Sequence, residues 1–395
     1  MPQHTLPPGF TPSSIDIPAS FTGIVQSAPK GKPVISNDLT LSTPSFDDIV
    51  IRNMLVAINP CDWKMNWRFP SPGARVGCDL YGEVLAIGPE AQARRPDIQI
   101  GDRVCGAVYG SNPSDHGSGS FCDVVCAPAD LTIRLPEGFE DGAGAALGGT
   151  SAATLRLALW NSLGLEGSPT NPLDPTKGTR HILVYGGSTA TGTMALQLLR
   201  LYVSINTCEC TIQLTRYRSG YKPITTCSPH NFDLVKGRGA EAAFDYHSST
   251  CAADIKSYTR GSLRYVLDII TDATSQGICH GAMGRAGGIY TALEAPSDSL
   301  NLRKRTVRMD FVVGLCALGT EVALGGDYYR PAAKEARRKV GQFFDEMQEF
   351  VDEGKIVPHP HRVLSDGYQG ILQGIEALRQ GKASGEKLVG RITPQ

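Results

Sequence analysis

No stretch of this 395-residue chain is apolar for long enough to form a helical membrane span. Neither sign of charge is in excess. Lys and Arg number 38 and Asp and Glu 39, a net charge of -1 that speaks against nucleic acid and anionic membranes as partners. The opening residues MPQHTLPPGFTPSS lack the charged start and apolar core of a secretory signal, which predicts a cytoplasmic protein with a Pro- and Ser-rich lead-in. There is no G-x-S-x-G and only 8 His, so Ser/His/Asp hydrolysis has no support. Nor is there any C-x-x-C. The 11 cysteines are odd in number and irregularly spaced, which predicts free thiols in a reducing compartment. Cys122 with Cys126, and Cys208 with Cys210, are isolated pairs. A catalytic zinc needs three protein ligands, and Gly77-Cys78-Asp79 offers Cys61 and Asp62 no histidine, so no metal is predicted.

What is present is an ordinary globular composition, 41% hydrophobic and 19% charged, long enough for two domains with sizeable cores. From about 20 to 135 the pattern is short strands and turns, among them 49–56, 82–88 and 121–125, as in a β-rich barrel or sandwich. From about 140 the period changes. Ala143 to Leu159 has helical spacing, and strands at 182–187, 221–227, 243–246, 265–270 and 287–293 alternate with helices. That alternation predicts an α/β domain with a doubly wound parallel sheet. The tail carries a long polar helix, 331–353, a short strand at 362–364, a helix at 368–379 and a last strand at 385–392.

The chemistry concentrates in ILVYGGSTATGTMALQLLRL, 182–201: an apolar strand, a glycine-rich turn and an apolar helix. A helix N-terminus gathers unpaired N–H groups and partial positive charge, which suits a phosphate. The turn is not G-x-G-x-x-G, and Ser188, Thr189 and Thr191 serve equally well as helix caps or as partners of phosphate oxygens. The next strand ends in Cys227-Ser228-Pro229-His230-Asn231, with no carboxylate before Asp233 and with Lys236 and Arg238 close by. An NAD site places an acidic residue there for the ribose 2′-OH; its absence points to NADPH. The plain alternative is a Ser-Pro turn with Asn231 as N-cap. Lys64, in Asn59-Pro60-Cys61-Asp62-Trp63-Lys64, is a candidate cation or proton donor, although most lysines are simply solvated.

NPCDWK, GCDLYGEV, GDRVCG, ILVYGGSTATGT, CSPHNFDL, GAEAAFDY, GRAGG and SGEKLVGRI together resemble the zinc-free medium-chain dehydrogenase/reductases, and more narrowly the fungal trans-acting enoyl reductases of the lovastatin type. The resemblance spans about Val50 to Ile392. It implies a GroES-like catalytic domain over 1–150, a Rossmann domain over 151–310 and a segment returning to the catalytic domain over 311–395. It implies NADPH contacts at Cys61, Asp62, Trp63, Lys64, Ser188, Thr189, Ala190, Thr191, Ser228, Pro229, His230, Asn231, Tyr246, Leu293, Glu294, Val363 and Leu364. It places the polyketide chain along Leu147, Gly148, Gly149, Thr150, Ser151, Ala152, Ala153 and Thr154, and along Gly314, Leu315, Cys316, Ala317 and Leu318. The segment LGGTSAAT is smaller and more polar than the family pattern. The implied reaction moves a hydride from NADPH to the β-carbon of an α,β-unsaturated thioester presented by a polyketide synthase or a synthase–peptide synthetase hybrid, with the reductase a monomer and Lys64 nearest the reacting centre. The rivals are a free-standing quinone or alkenal reductase and a non-catalytic binding protein.

One segment does not fit. After Leu201 about twenty residues intervene before the next strand, where a few are usual. Tyr202 to Arg218, YVSINTCECTIQLTRYR, has neither helical nor turn logic, and removing it joins LLRL to SGYKPITTC smoothly. It reads as a retained intron translated in frame, or else as a genuine surface insertion, which such loops tolerate; the non-catalytic reading applies if that insertion is real and disrupts the cofactor site.

Overall fold

The computed structural model describes residues 5–13, 17–166, 180–201, 221–301 and 303–392. The expected Pro-rich loop at 167–177 and the anomalous segment 202–218 lie outside the described residues. The chain divides into two compact units, one of Met1–Ala153 with Leu315–Gln395 and one of Thr154–Gly314.

The strands of the first part are β1 (Thr11–Pro12), β2 (Phe21–Val25), β3 (Val34–Leu39), β4 (Asp48–Ala57), β5 (Asp79–Ile87), β6 (Arg103–Ala107), β7 (Val124–Pro128) and β8 (Thr132–Arg134). Helices α1 (Pro60–Arg68), α2 (Pro89–Arg94), α3 (Asp141–Leu147) and α4 (Gly149–Leu155) are interspersed. The tail returns to this unit with α9 (Lys334–Asp352), β15 (His361–Leu364), α10 (Gly367–Arg379) and β16 (Lys387–Arg391). β16 pairs antiparallel with β4 and parallel with β15, which closes an eight-stranded sheet of order β15-β16-β4-β5-β6-β8, with β1 on β5 and β7 on β4. β2 and β3 form a separate ribbon.

Two apolar clusters fill this unit. One holds Ile49, Ile51, Leu80, Val84, Leu85 and Val104. In the other, Ile371 and Ile375 of α10 and Leu388 of β16 lock onto Val56, Ile58 and Phe121. The tail helix α9 is not polar all round: it buries Val340, Phe343, Phe344, Met347 and Val351.

The second unit is a six-stranded, wholly parallel sheet of order β11-β10-β9-β12-β13-β14. Its strands are β9 (Arg180–Tyr185), β10 (Tyr221–Thr226), β11 (Ala242–Phe244), β12 (Tyr265–Asp268), β13 (Gly288–Ala292) and β14 (Val307–Phe311). The connecting helices are α5 (Ala190–Leu201), α6 (Phe232–Gly237), α7 (Cys251–Tyr258) and α8 (Ala273–Ala282). The chain runs outward from β9 to β11, then crosses back to place β12 on the other side of β9. That reversal, between β9 and β12, is where doubly wound sheets bind ligands. β14 is a strand that the sequence pattern did not announce.

The helix expected over 143–159 is broken. Gly148 adopts φ 66°, and a Cβ on Gly149 would sit 2.2 Å from the backbone of Gly106 in β6. The close approach of two backbones stops α3 and restarts the chain as α4, which runs on as a π-helix, Arg156–Ser162. All nine described cysteines are free thiols.

Candidate functional site

The first group of site residues grows from the N-terminus of α1. Asn59 is its N-cap and Pro60 its first residue, and the Asn59 N–H donates to Asp62 Oδ2 at 2.7 Å. The Asn59 side chain then reaches sideways. Its Nδ2 donates to Asp79 Oδ2 at 2.7 Å, and its Oδ1 accepts from Lys387 Nζ. Lys387, at the start of β16, also pairs with Asp79 Oδ2 at 3.3 Å, with side chains 6% and 0% exposed. Thr150 donates its N–H to Asp79 Oδ1 at 2.8 Å. Three segments far apart in sequence therefore meet on the buried Asp79 carboxylate.

Cys61 Sγ lies 3.7 Å from Cys78 Sγ and 3.9 Å from Asp62 Oδ1. The hydrogen bond with Cys78 and burial hold the Cys61 thiol well above its ordinary range. Burial pushes Asp62 up to about 7, with the Asn59 N–H and Lys387 pulling down and Asp79 pushing up. The ligand atoms of Cys61, Asp62 and Cys78 all lie within 4.8 Å of one another. This set fits a metal poorly. It holds no histidine, Asp62 already closes the helix cap, and the positive charge beside Asp79 is the Lys387 ammonium. Lys64 is half-buried, its Nζ 6.0 Å from the centre of the Trp63 ring. Trp63 and Leu364 both pack on the cluster around Ile58, Ile371 and Leu388. Val363 lies beside Leu364 on β15, paired in register with Val389.

The second group belongs to the parallel sheet. β9 ends at Tyr185, and Gly186 turns with φ 87°. Thr189 Oγ1 donates to the Gly186 carbonyl at 2.8 Å and accepts from the Gly192 N–H at 3.0 Å, so this hydroxyl is a helix cap. A Cβ on Gly192 would meet the Gly186 carbonyl oxygen at 2.3 Å, and one on Gly187 would meet Thr225 Oγ1 at 1.9 Å. These glycines exist for close packing of turn, helix and β10. Ser188, Ala190 and Thr191 remain half-buried at the N-terminus of α5.

At the end of β10, Ser228 Oγ donates to Tyr246 Oη at 3.3 Å, which joins two of the expected cofactor residues. Pro229 and His230 are exposed and Asn231 is buried. Asn231 occupies the N-cap position of α6, as expected, but its side chain makes no cap hydrogen bond; its Nδ2 lies 3.2 Å from His230 Nε2. Leu293 and Glu294 follow β13 and are half-buried, with the Leu293 N–H donating to the Asp268 carbonyl at 3.1 Å.

Of the segment expected to face the substrate, Leu147, Gly148, Gly149, Ser151, Ala152 and Ala153 are buried, and Thr150 and Thr154 are half-exposed. The Thr150 hydroxyl is buried and has no hydrogen-bond partner among the described residues. A Cβ on Gly314 would lie 2.4 Å from Thr154 Oγ1, so the two expected substrate segments touch there. Leu315, Cys316 and Leu318 are half-buried and Ala317 is buried. Sequence reasoning missed Asn59 as an organiser, Lys387, and the carboxylate role of Asp79. The signal available was a charged residue at the start of each of two largely apolar strands, Asp79 in β5 and Lys387 in β16.

Residues 45–137 match the alcohol dehydrogenase GroES-like domain. Among solved structures, the chain is similar to an alcohol dehydrogenase superfamily protein from Novosphingobium aromaticivorans at 18% identity and TM-score 0.69, with 94% of this chain and 100% of that one covered. It is similar to the CurK enoyl reductase at 13% identity and TM-score 0.68, with 95% and 99% covered. These likenesses show the fold. In sequence, the chain is 52% identical to the trans-enoyl reductase poxP of Penicillium oxalicum over 98% of its own length and 96% of that protein. It is 45% identical to the trans-enoyl reductase ccsC of Aspergillus clavatus, with 96% and 98% covered. With near-complete coverage at this level of identity, the chain belongs to the trans-enoyl reductases, medium-chain oxidoreductases of fungal secondary metabolism.

Proposed function

We propose that the chain reduces the α,β-unsaturated thioester of a polyketide held on a carrier domain of a partner synthase, with NADPH as the reductant. One observation supports it most. The Gly186–Thr191 turn lies at the reversal point of the parallel sheet, and the adjoining strand β10 is followed by Ser228 and His230, with no carboxylate before Asp233. The N-terminus of α5 suits the pyrophosphate, and Ser228, His230, Tyr246 and the neighbouring Lys236 suit a 2′-phosphate. Bound NADPH supplies a hydride for the β-carbon. The chain binds and orients that cofactor through Cys61 to Lys64, Ser188 to Thr191, Ser228 to Asn231, Tyr246, Leu293, Glu294, Val363 and Leu364. The enoyl chain runs along 147–154 and 314–318.

Lys64 is the catalytic group of this reading. Its ammonium stabilises negative charge on the thioester oxygen or hands a proton to the α-carbon. No metal is needed, since Lys387 already provides the buried positive charge beside Asp79. The enzyme works as a monomer beside its synthase in the cytoplasm; no helix among the described residues is long and apolar enough to cross a membrane.

The deciding assay follows NADPH oxidation with crotonyl-pantetheine against free enals and quinones. Turnover confined to the pantetheine thioester supports the reading; equal turnover of a quinone defeats it. Lys64→Ala lowers kcat by about 100-fold, within the ~10²–10⁴-fold span of general acid catalysis. Full turnover by that variant removes Lys64 from the role.

A further inference from the structure

The run Arg303-Lys304-Arg305-Thr306-Val307-Arg308 entered none of the roles above, and its cations part company in the fold. Arg303 turns inward. Its guanidinium donates to the carbonyls of His280, Met283, Gly284 and Arg285 and so closes the C-terminal end of α8. Lys304, Arg305 and Arg308 turn outward and are exposed, as is Arg264. Arg264, Lys304, Arg305 and Arg308 together line a cavity of about 390 Å³, with Thr306 and the backbone at Gly288 between them. Arg308 donates to the neutral Ser162 carbonyl. Among the described residues, no carboxylate forms an ion pair with any of these four cations. A concentrated basic face on a chain of net charge -1 is a local feature, not an outcome of composition.

Its position decides what it serves. Arg264 precedes β12, Gly288 opens β13, and Lys304 to Thr306 lead into β14. The face therefore lies at the N-terminal edge of the parallel sheet. Gly186, Ser228 and Leu293 follow the C-terminal ends of β9, β10 and β13. A ligand of the cofactor end does not reach this edge, and a protein bound here leaves that end open. The cations are exposed, they spread along three strand starts, and the cavity is largely open to solvent. This suits an extended acidic surface more than a small enclosed anion.

We infer that this basic face docks an acidic surface on the body of the partner synthase, away from the carrier domain. The enzyme is thereby held beside its substrate supply while its cofactor end stays accessible to the mobile carrier. Charges at such a rim act chiefly on association rate and salt dependence. The inference rests on the trans-acting reading above, and the two are separable because turnover of crotonyl-pantetheine requires no synthase.

The test compares the wild-type enzyme with the triple variant Arg264→Glu, Lys304→Glu, Arg305→Glu. Binding to the purified polyketide synthase that the enzyme serves is measured by biolayer interferometry at 50 and 300 mM NaCl, on either side of the ~0.1–0.15 M at which the Debye length is about 8–10 Å. The expected result is at least a ~10-fold rise in Kd for the variant at low salt, a smaller gap at high salt, and crotonyl-pantetheine kinetics within about twofold of wild type. Equal Kd values for the two proteins overturn the inference, as does wild-type binding that does not weaken with salt. Single-stranded RNA is the control polyanion. If the triple variant loses RNA binding while its synthase binding is unchanged, the face belongs to nucleic acid and the inference fails.

Discussion

The two groups of candidate site residues, one in each unit, are built from different materials. In the parallel sheet the work is done by backbone: Gly186 turns with φ 87°, Gly187 and Gly192 have no room for a Cβ, and Thr189 ties the turn to α5. In the mixed sheet it is done by side chains. Asn59, Asp79 and Lys387 converge from α1, β5 and β16 and leave almost nothing exposed. The backbone-built half depends on a few adjacent residues, so its tolerance is set by sterics. The side-chain-built half depends on charges brought together over 308 positions, so its tolerance is set by desolvation.

The largest effect that separates the halves is expected at Asp79. Asp79→Leu strands the Lys387 ammonium in a site only 6% exposed. Removing one partner of a buried ion pair costs about 3–5 kcal/mol, whereas replacing both by apolar groups is often neutral. Urea unfolding of Asp79→Leu should therefore show a large loss, and the double variant Asp79→Leu with Lys387→Met should recover much of it. If the double variant is as weak as the single one, the network is held by Asn59 and Thr150 rather than by the ion pair.

That contrast also explains what was legible beforehand. The strand–turn–helix at 182–201 and the missing carboxylate after β10 are local patterns, and both halves of that reading follow from adjacent residues. The Asn59–Lys64 run stood out, yet its organiser, Lys387, lies in the last strand and meets it only through the β16–β4 pairing. No local period carries that information. The break at Gly148 was hidden for the same reason: LGGTSAAT keeps helical spacing, and the cause is the backbone of Gly106 pressing on Gly149. β14 was missed because VRMDF is only five residues long and follows directly on the polar run Arg303-Lys304-Arg305-Thr306. Asn231 stands at the N-cap of α6 as its local sequence implied, yet its side chain turned to His230 rather than to the helix N–H groups.

Asp62 supplies the next effect, and its sign is fixed by linkage. Burial raises its folded-state value from 3.8 to about 7. Between those values the folded protein holds a proton that the unfolded chain has released, so stability falls as pH rises from about 4 to about 7 and levels off above. Between pH 5 and 8 the loss attributable to this one group is about 3 kcal/mol. Asp62→Asn keeps an oxygen to accept from the Asn59 N–H and removes the titration. Its stability, read from urea unfolding across that range, should decline less steeply than that of wild type. A parallel pair of curves means that Asp62 is already ionised in the fold. Asp48, raised to about 6 by burial, contributes a fall of the same sign and cancels in the comparison.

In the backbone-built half, Gly192→Ala forces a methyl to within 2.3 Å of the Gly186 carbonyl oxygen, a backbone atom that has no rotamer to escape through. Overpacking of this kind costs about 2 kcal/mol. The turn should shift with it, so NADPH affinity, followed by nicotinamide fluorescence, should fall while the unfolding midpoint drops modestly. Unchanged affinity with lowered stability would show that the turn contributes packing alone.

The smallest effect concerns which dinucleotide the backbone-built half accepts. Ser228 stands at the end of β10, where a carboxylate would hold a ribose 2′-OH, and its hydroxyl reaches Tyr246. Ser228→Asp places negative charge where a 2′-phosphate would lie. The KM for NADPH should rise about tenfold, worth ~1.4 kcal/mol, and that for NADH should fall, with kcat nearly unchanged because the reacting end of the cofactor is remote from this position. The mixed-sheet half should not respond: Asp79→Leu with Lys387→Met should leave the NADPH-to-NADH ratio as it was. If that double variant shifts the ratio and Ser228→Asp does not, dinucleotide choice lies with the side-chain-built half, and the division of labour between the two units is the reverse of the one drawn from their materials.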